Sequence, residues 1–401
     1  MYDVITIGGG LAGAALARAL AQAGRRVLVV EREARFRDRV RGEYLEAWGV
    51  AEARRLGLVE TLLASGAREV PWLTTWVGSL PALRNDVRAA NPEGLAPLCL
   101  SHPAMQEAVL EAARAAGAEV LRPATVTALV PGAEPSVTVR REDGDEECLA
   151  ARLVVGSDGR ESKARGWGGF AVERDAENLA LAGLLLDGYD GPDDTSSIFW
   201  NFAVGEQALF FPQGRRRLRA YVAFHANGDH GRLSGRGRIP AFLAACEAAN
   251  VPADWLENTT PAGPLAAFSG ADAFVPQPVR PGLALVGDAA ASSDPTWGCG
   301  LSLTLRDVRV LSDALLASDD WDAAARAYAE EHDRYYGRLH TLEGWLSRGF
   351  FEVGPEADAR RGRIFARAFT EPGRIPDVVA RGPDSPCDEA ARQRFFGEDA
   401  A

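Results

Sequence analysis

The chain has 401 residues, which corresponds to roughly two to three domains. Hydrophobic residues make up 47% and charged residues 25%, values typical of a globular protein. The formal net charge of -12 argues against nucleic acid and against an anionic membrane surface as partners, because both favour a basic patch.

The cysteines predict a reducing compartment. They are odd in number, far apart and form no C-x-x-C pair, so we predict no disulfide framework, no zinc ribbon and no other metal site. They are Cys99, Cys148, Cys246, Cys299 and Cys387. Residues 4–23 lack the basic segment of a signal peptide, and no apolar run is long enough to span a bilayer. We therefore expect a cytoplasmic protein without an integral membrane segment.

The N-terminus predicts a compact βαβ unit. An apolar strand at 4–7 is followed by a helix at 11–23 and a second strand at 27–30. Between the first strand and the helix, Gly8-x-Gly10-x-x-Gly13 allows backbone N–H groups to approach a pyrophosphate closely. Glu31 ends the second strand and can accept hydrogen bonds from an adenosine ribose, which favours FAD or NAD over NADP.

The middle of the chain predicts further strands and then a change of character. A helix is expected at 104–116 and strands at 120–130, 137–141 and 152–155, with Asp143-Gly144 as a hairpin turn. Residues 178–225 contain aromatic-rich strands, which predict an inserted, mostly antiparallel sheet. A mobile loop is expected at 228–238, and helices at 239–249, 301–315 and 323–346. The pattern does not place the segment beyond Gly354.

Two later motifs repeat the strand-turn-helix pattern. Asp158-Gly159 follows an apolar strand, which is compatible either with a nucleotide site or with an ordinary turn. Gly287-Asp288 also follows an apolar strand, so the Asp288 carboxylate can accept hydrogen bonds from sugar-alcohol hydroxyls. Downstream, the stretch from Pro295 to Leu301 opens a helix whose first N–H groups can stabilise an anion. A second acidic turn so far from the first predicts a longer cofactor, namely a flavin dinucleotide.

The three motifs in this order, together with Arg41-Gly42-Glu43, resemble the FAD-dependent aromatic hydroxylases of the para-hydroxybenzoate hydroxylase type over residues 1–345. The resemblance implies an α/β fold: a Rossmann-like FAD-binding domain of the glutathione-reductase type, an inserted antiparallel substrate sheet and C-terminal helices. The expected domain boundaries are 1–70, 98–172 and 276–345 for the FAD-binding domain, 71–97 and 173–275 for the substrate domain, and 346–401 for a helical tail.

The resemblance also implies the cofactor site. The glycines would hold the pyrophosphate, Asp288 the ribityl chain, and the Pro295–Gly300 turn would lie under the isoalloxazine. The full expected set is Gly8, Gly10, Leu11, Ala12, Gly13, Glu31, Arg32, Arg41, Val126, Asp158, Gly159, Gly287, Asp288, Pro295, Gly298, Cys299, Gly300 and Leu301. We interpret Cys299 as a small packing residue rather than a redox cysteine, because no second cysteine is near it in sequence. Where the family often has a cofactor-contacting arginine, this chain has His102, either a substitute or a surface residue.

By the same resemblance, reduced FAD would react with O2 to give a C4a-(hydro)peroxyflavin that donates one oxygen to an aromatic or polyketide-like small molecule. NADH or NADPH would be a transient electron donor, or a separate flavin reductase would deliver reduced flavin, and the oligomeric state stays open. Candidates for the substrate wall are Trp200, Phe202, Phe211, Tyr221 and Trp297. His225 is a candidate base for a phenol. Arg219 would either hold a substrate carboxylate or belong to a solvated hairpin.

Three other functions compete with oxygen transfer. A flavin halogenase needs an active-site lysine, but Lys163, the only lysine in the sequence, lies inside the second motif. A reductase of the geranylgeranyl-reductase type shares the FAD-binding domain and acts on long prenyl chains. A flavin-binding regulatory protein without turnover is the third alternative.

Overall fold

The computed structural model describes residues 1–78, 82–228, 230–231, 233–368, 371 and 373–399. The strands are β1 (Tyr2–Ile7), β2 (Val27–Val30), β3 (Tyr44–Leu45), β4 (Arg68–Glu69), β5 (Trp72–Val77), β6 (Leu83–Asp86), β7 (Leu98–Cys99), β8 (Glu119–Leu121), β9 (Ala124–Val130), β10 (Ser136–Arg141), β11 (Glu146–Gly156), β12 (Glu173–Arg174), β13 (Leu179–Asp187), β14 (Thr195–Asn201), β15 (Glu206–Gly214), β16 (Arg217–His225), β17 (Thr260–Pro261), β18 (Ala266–Ser269), β19 (Ala273–Phe274), β20 (Val279–Arg280), β21 (Leu283–Leu285) and β22 (Ala291–Ser292).

The helices are α1 (Leu11–Gln22), α2 (Ala47–Arg55), α3 (Val59–Ala64), α4 (Val87–Ala90), α5 (His102–Ala115), α6 (Lys163–Trp167), α7 (Ile239–Ala248), α8 (Ala253–Leu256), α9 (Gly300–Ala317), α10 (Trp321–Phe350), α11 (Pro355–Ala368) and α12 (Glu389–Phe396). Short 3-10 turns lie at Arg236–Arg238, Gly287–Ala289, Pro295–Trp297 and Gly382–Asp384. None of the helices in the described ranges combines the length and the apolar character that crossing a bilayer requires.

The first large sheet is parallel at its centre. Its order is β20-β21-β11-β1-β2-β8, with β20 antiparallel at one edge and β9 and β10 joined to β11 as an antiparallel extension. The central strands are apolar on both faces, and α1, α5 and α9 cover one of these faces. Because parallel strands end at the same edge, the residues that follow β1, β2, β11 and β21 meet there. The predicted α/β fold class is confirmed.

The second large sheet is mostly antiparallel. Its order is β17-β13-β16-β15-β14-β5-β6, with β18 also paired to β13 and only β14 and β5 parallel. Strands from both 71–97 and 173–275, which we expected to form the substrate domain, contribute to it, although residues 79–81 lie outside the described residues. One face packs against α7, and the other faces the first sheet and α10.

Two local expectations are corrected. The single strand expected at 120–130 is divided at Arg122-Pro123, because a proline has no N–H to donate to a ladder. Its first part, β8, extends the parallel sheet beside β2, whereas β9 pairs with β10. Of the loop expected at 228–238, residues 229 and 232 lie outside the described residues, and its last three residues form a 3-10 turn.

The C-terminal segment, which the sequence pattern left unplaced, returns to the core. The indole N–H of Trp48 donates to the carbonyl of Val378 at 3.0 Å. Arg306 on α9 pairs with Asp384 at 2.8 Å. The described part of this segment also contains α11 and α12, which pack against α10 and against each other. The C-terminal segment therefore supports α2, α9 and α10 from outside the cleft.

Candidate functional site

A cleft of about 360 Å³ lies between the carboxyl edge of the first sheet and one face of the second. This volume is within the range of about 300–1,000 Å³ that is typical of small-molecule sites. Residues far apart in sequence meet in its wall. Of the expected cofactor residues, those that line it are Gly8, Gly10, Leu11, Ala12, Glu31, Arg32, Arg41, Val126, Asp158, Gly159, Asp288, Pro295, Gly298, Gly300 and Leu301.

One end of the cleft is formed by the glycine-rich turn before α1. Gly8 has a φ of +103°, and a Cβ on Gly13 would lie 2.0 Å from the Gly8 carbonyl oxygen. Gly13 therefore serves close packing behind the wall, whereas Gly8 and Gly10 face the cleft. Glu31 is fixed by the backbone N–H groups of Gly9 and Glu33, each at 2.7 Å. This arrangement provides backbone donors for a pyrophosphate and a carboxylate for hydroxyl groups.

The middle of the cleft carries Asp288 and Arg41. Asp288 is half-buried in the 3-10 turn after β21. Burial lowers the pKa of Arg41, and the nearby Asp288 carboxylate opposes that effect. Gly287 stands behind Asp288 rather than in the cleft wall, with a φ of +61°.

Asp307 on α9 fixes this turn from behind, and no motif in the sequence singled it out. Its carboxylate accepts the backbone N–H of Gly287 at 2.7 Å. It also contacts His332 Nδ1 at 3.0 Å and accepts a hydrogen bond from the Tyr335 hydroxyl. Because Asp307 and His332 are only 2% and 1% exposed, these contacts are shielded from water. Asp307 thus holds the backbone of the turn that contains Asp288.

The turn at Pro295–Trp297 leads into the N-terminus of α9. Gly298 has a φ of +75°, and a Cβ there would lie 2.8 Å from Glu46 Oε1. Gly300 and Leu301 line the cleft, so the first N–H groups of an 18-residue helix lie at its wall. Cys299 is fully buried with its thiol directed at the Trp297 carbonyl, and burial raises its pKa well above the ordinary value. Cys299 does not line the cleft, which corrects its place in the expected cofactor set, and its side chain fills buried space behind the wall.

Asp158 lines the cleft but its carboxylate is also engaged locally. It accepts hydrogen bonds from Ser162 Oγ at 2.5 Å and from the backbone N–H of Lys163 at 2.7 Å. Gly159 follows with a φ of +79°. The Asp158 side chain therefore stabilises the turn in which it lies, as in an ordinary Asp-Gly turn. Asp158 and Gly159 nevertheless both form part of the cleft wall.

The second sheet supplies an aromatic end to the cleft. Two of the five expected substrate residues, Phe211 and Tyr221, line it, and Tyr44 stacks on Phe211 with ring centroids 4.7 Å apart. Further apolar wall residues at this end are Leu181, Leu209 and Phe268.

Trp200, Phe202 and Trp297 are placed elsewhere, which corrects the expectation that they line the pocket. Trp200 lies 5.4 Å from Phe350 and 5.0 Å from Phe351, ring to ring. Phe202 contacts the same aromatic cluster, and Trp297 donates to Ser347 on α10 at 3.0 Å. The alternation of the strand correctly put Trp200 and Phe202 on one side, but helices cover that part of the face.

The structure shows whether each of three polar residues considered in the sequence analysis lies in the cleft wall. His225 does not line the cleft, because its Nε2 is 2.9 Å from the Phe351 carbonyl at the far end of β16. His102 does line it, with Nδ1 3.0 Å from the Gly42 carbonyl, and burial lowers its pKa. Arg219 is 2% exposed, pairs with Asp38 and Glu43 and stands behind the cleft wall, which corrects both the solvated hairpin and the contact with a substrate carboxylate.

Replacing His225 with glutamine is expected to leave turnover within about twofold, because the residue is outside the cleft wall. The lost contact to the Phe351 carbonyl should lower the free energy of unfolding by about 1 kcal/mol. Steady-state kinetics and thermal unfolding of the variant measure the two effects. A large fall in kcat with unchanged stability would return His225 to the list of catalytic candidates.

A cluster of metal-ligand types lies at another place on the molecule. Potential ligand atoms of Asp175, Asp272 and His340 are within 4.8 Å of one another. His340 Nε2 already pairs with Asp175 Oδ2 at 2.8 Å, and both side chains are about half exposed. We assign the contact between His340 and Asp175 to a hydrogen bond at the surface, with the buried Asp272 beneath it.

Comparison with known proteins identifies the fold and the cofactor together. Residues 1–331 match the family described as FAD binding domain. The chain belongs to this family. The glycine cradle, the carboxylates and the two helix N-termini in one cleft fit that cofactor. The predicted resemblance to the FAD-dependent hydroxylases, the assignment of FAD and the oxidoreductase class are confirmed.

Individual relatives of this FAD-dependent oxidoreductase include hydroxylases and reductases. It is 28% identical over 339 residues to the 3-demethoxyubiquinol 3-hydroxylase of Escherichia coli K12, covering 81% of this chain and 82% of the relative. It is 26% identical to digeranylgeranylglycerophospholipid reductase 1 of Methanococcoides burtonii, covering 75% of this chain and 71% of the relative.

Solved structures share the fold over nearly the whole chain. The p-nitrophenol 4-monooxygenase of Pseudomonas putida DLL-E4 superposes with a TM-score of 0.78 at 19% identity. The match covers 92% of this chain and 94% of the monooxygenase chain. The flavin-dependent brominase Bmp2 has a TM-score of 0.77 at 17% identity, covering 96% and 94%. These likenesses extend the fold assignment to the C-terminal helices.

Proposed function

We propose that this enzyme is a monooxygenase that transfers one oxygen atom from O2 to an aromatic or polyketide-like small molecule, with NADH or NADPH as electron donor. The observation that carries the proposal is the continuity of the cleft. It runs from the glycine turn at Gly8, past Asp288 and the N-terminus of α9, to the aromatic wall around Phe211 and Tyr221. A cofactor and a substrate therefore have adjacent places in a single cavity.

In this proposal the chain binds FAD along the carboxyl edge of the first sheet. The backbone N–H groups from Gly8 to Gly13 hold the pyrophosphate, and Glu31 accepts hydrogen bonds from the adenosine ribose. Asp288 accepts hydrogen bonds from the ribityl chain, and the N-terminus of α9 stabilises negative charge on the ring system. Bound, reduced FAD supplies the activation of O2, and the protein supplies position and exclusion of water.

Asp288→Ala is expected to weaken FAD binding by about tenfold to a hundredfold, because hydrogen bonds to a charged group contribute about 1.5–3 kcal/mol. Titration of flavin-free protein with FAD, followed by flavin fluorescence, measures the change. Asp313→Ala, an exposed acid on α9, is the matched control and should bind FAD normally. An unchanged dissociation constant for Asp288→Ala would remove its proposed role.

A reductase acting on a prenyl chain is the second candidate, because a digeranylgeranylglycerophospholipid reductase is among the relatives. Halogenation is disfavoured, since Lys163 is exposed at the start of α6, beside Asp158 on the first-sheet side of the cleft rather than at the aromatic wall. The two remaining activities differ in their use of O2: oxygen transfer consumes it in proportion to product, whereas reduction does not.

The test is to supply the purified enzyme with NADH or NADPH, labelled O2 and a panel of hydroxylated aromatic compounds. The proposal predicts that the donor reduces bound FAD and that one labelled oxygen atom appears in the product. If the donor leaves the flavin oxidised but chemically reduced flavin supports product formation, a partner reductase delivers the electrons. Product formed without labelled oxygen would contradict the monooxygenase assignment.

A further inference from the structure

A buried polar cluster closes the aromatic end of the cleft. Glu43, Arg219 and Tyr221 are 2%, 2% and 4% exposed. The Tyr221 hydroxyl donates to Glu43 Oε2, and an Arg219 Nη is 3.3 Å from Glu43 Oε1. The same Arg219 nitrogen lies 2.7 Å from Asp38 Oδ2. Glu43 and Tyr221 line the cleft, whereas Arg219 stands behind them.

The cluster joins the two halves of the fold at one point. Glu43 follows Gly42, whose φ is +73°, and immediately precedes β3, so the turn directs it toward the second sheet. Arg219 and Tyr221 are alternate residues of β16, and therefore project from the same face. A carboxylate in a cleft wall, paired to a hydroxyl that lines the same wall, is the arrangement of a proton acceptor with a relay.

Burial and neighbouring charges bring the pKa of Glu43 into the range that suits a proton acceptor. Burial raises the pKa of Glu43 to about 7, and Asp38 adds to the increase, while Arg219 and Tyr221 oppose it. Cys99 on β7 also faces this carboxylate, and burial raises the pKa of its thiol well above the ordinary value, so it stays neutral. An acceptor is most effective when its pKa lies near the working pH.

We propose that Glu43 is the proton acceptor of the reaction and that Tyr221 relays to it the proton of a substrate hydroxyl group. This inference rests on the proposed monooxygenase function. The substrate O–H donates to the Tyr221 oxygen, the Tyr221 proton moves to Glu43, and the electron pair stays on the substrate oxygen. The step moves one proton and no electron. It makes the aromatic ring of the substrate richer in electrons, which favours attack by the transferred oxygen.

The cluster also defines the chemical class of the substrate. Arg219 is already matched by Glu43 and Asp38, so these three groups together carry a charge of -1 when both acids are ionised. A carboxylate beside Tyr221 would be repelled, whereas a neutral phenol or enol donates its hydroxyl. Because Arg219 stands behind the wall, the aromatic end offers a substrate Tyr221 and Glu43 directly, and these groups suit a neutral hydroxyarene rather than an aryl carboxylate.

The test uses the FAD-loaded enzyme and 4-methylphenol, which resembles the tyrosine side chain and ionises in water only near a pKa of about 10, far from that of Glu43. In the wild type we expect the oxygenation rate of 4-methylphenol to rise through a pKa near that of Glu43, about 7, because the proton must pass to the ionised carboxylate. In Glu43→Gln the rising limb should disappear and the rate should fall by about a hundredfold. Tyr221→Phe, which removes only the relay hydroxyl, should reproduce both changes. This variant provides the test if Glu43→Gln does not fold.

His225→Gln is the control, since that side chain lies outside the cleft wall. FAD content and flavin reduction by NADH or NADPH are measured in every variant, so failure of the monooxygenase function is seen separately. The inference is overturned if Glu43→Gln or Tyr221→Phe keeps the wild-type pH profile. It is also overturned if the wild type binds benzoate but not 4-methylphenol. A structural role alone would change stability without moving the pH profile.

Discussion

Gly13→Ala is expected to abolish FAD retention and to lower the free energy of unfolding by about 3 kcal/mol. The new Cβ would lie 2.0 Å from the Gly8 carbonyl oxygen and 2.5 Å from Ser157 Oγ, so the backbone of the turn must move. Because the same turn supplies the N–H groups proposed for the pyrophosphate, the displacement also removes those donors. Flavin content after purification and denaturant unfolding measure the two effects.

Gly344→Ala provides the matched control. Gly344 is an exposed position in α10 with nothing within 4 Å of an added Cβ. Alanine is the better helix former, so this variant should be more stable by up to about 1 kcal/mol and keep its FAD. Full flavin content in Gly13→Ala would mean that the turn can move without losing the cofactor, which would contradict its proposed role in holding the pyrophosphate.

Asp307→Ala is expected to lower the free energy of unfolding by about 3–5 kcal/mol and FAD affinity by about tenfold. The substitution leaves the N–H of Gly287 and the hydroxyl of Tyr335 without their buried acceptor, and it also removes the contact of His332. The turn that presents Asp288 then loses its support. Calorimetry and FAD titration of the same preparation measure stability and affinity together.

Asp313→Ala separates this effect from the general loss of an acid on α9. Its side chain is 64% exposed and forms an i,i+4 pair with Arg309, so the cost should stay within about 0.5 kcal/mol. If Asp307→Ala lost stability but bound FAD as well as the control, Asp307 would support the core without positioning Asp288.

Local patterns were sufficient where one short segment determines the geometry. The turn from Gly8 to Gly13 and the carboxylate of Glu31 follow from a strand, a helix and a strand that are contiguous in sequence. The apolar pattern predicts one strand over 120–130, because it continues across Pro123, and periodicity does not take account of the N–H that proline lacks.

The residues that the sequence did not reveal depend on long-range packing. Asp307 is one acid in a helix, and only the approach of α10 brings His332 and Tyr335 to it. Alternation assigned Trp200 and Phe202 to one side of the sheet, but it cannot tell which part of that side the C-terminal helices cover. Glu43 was included only as part of a motif beside Arg41, since its partners on β16 are distant in sequence.

The cleft is proposed to bind both halves of FAD, the ADP half at the Gly8 turn and the flavin half beside Asp288 and α9. Titrating flavin-free protein with FAD and with FMN tests this central claim most directly. We predict one FAD per chain and FMN binding weaker by about a hundredfold or more, a difference of ~2.7 kcal/mol, because FMN lacks the half that the glycine turn and Glu31 would hold. Equal affinity for FMN and FAD, or no binding of either, would contradict the claim.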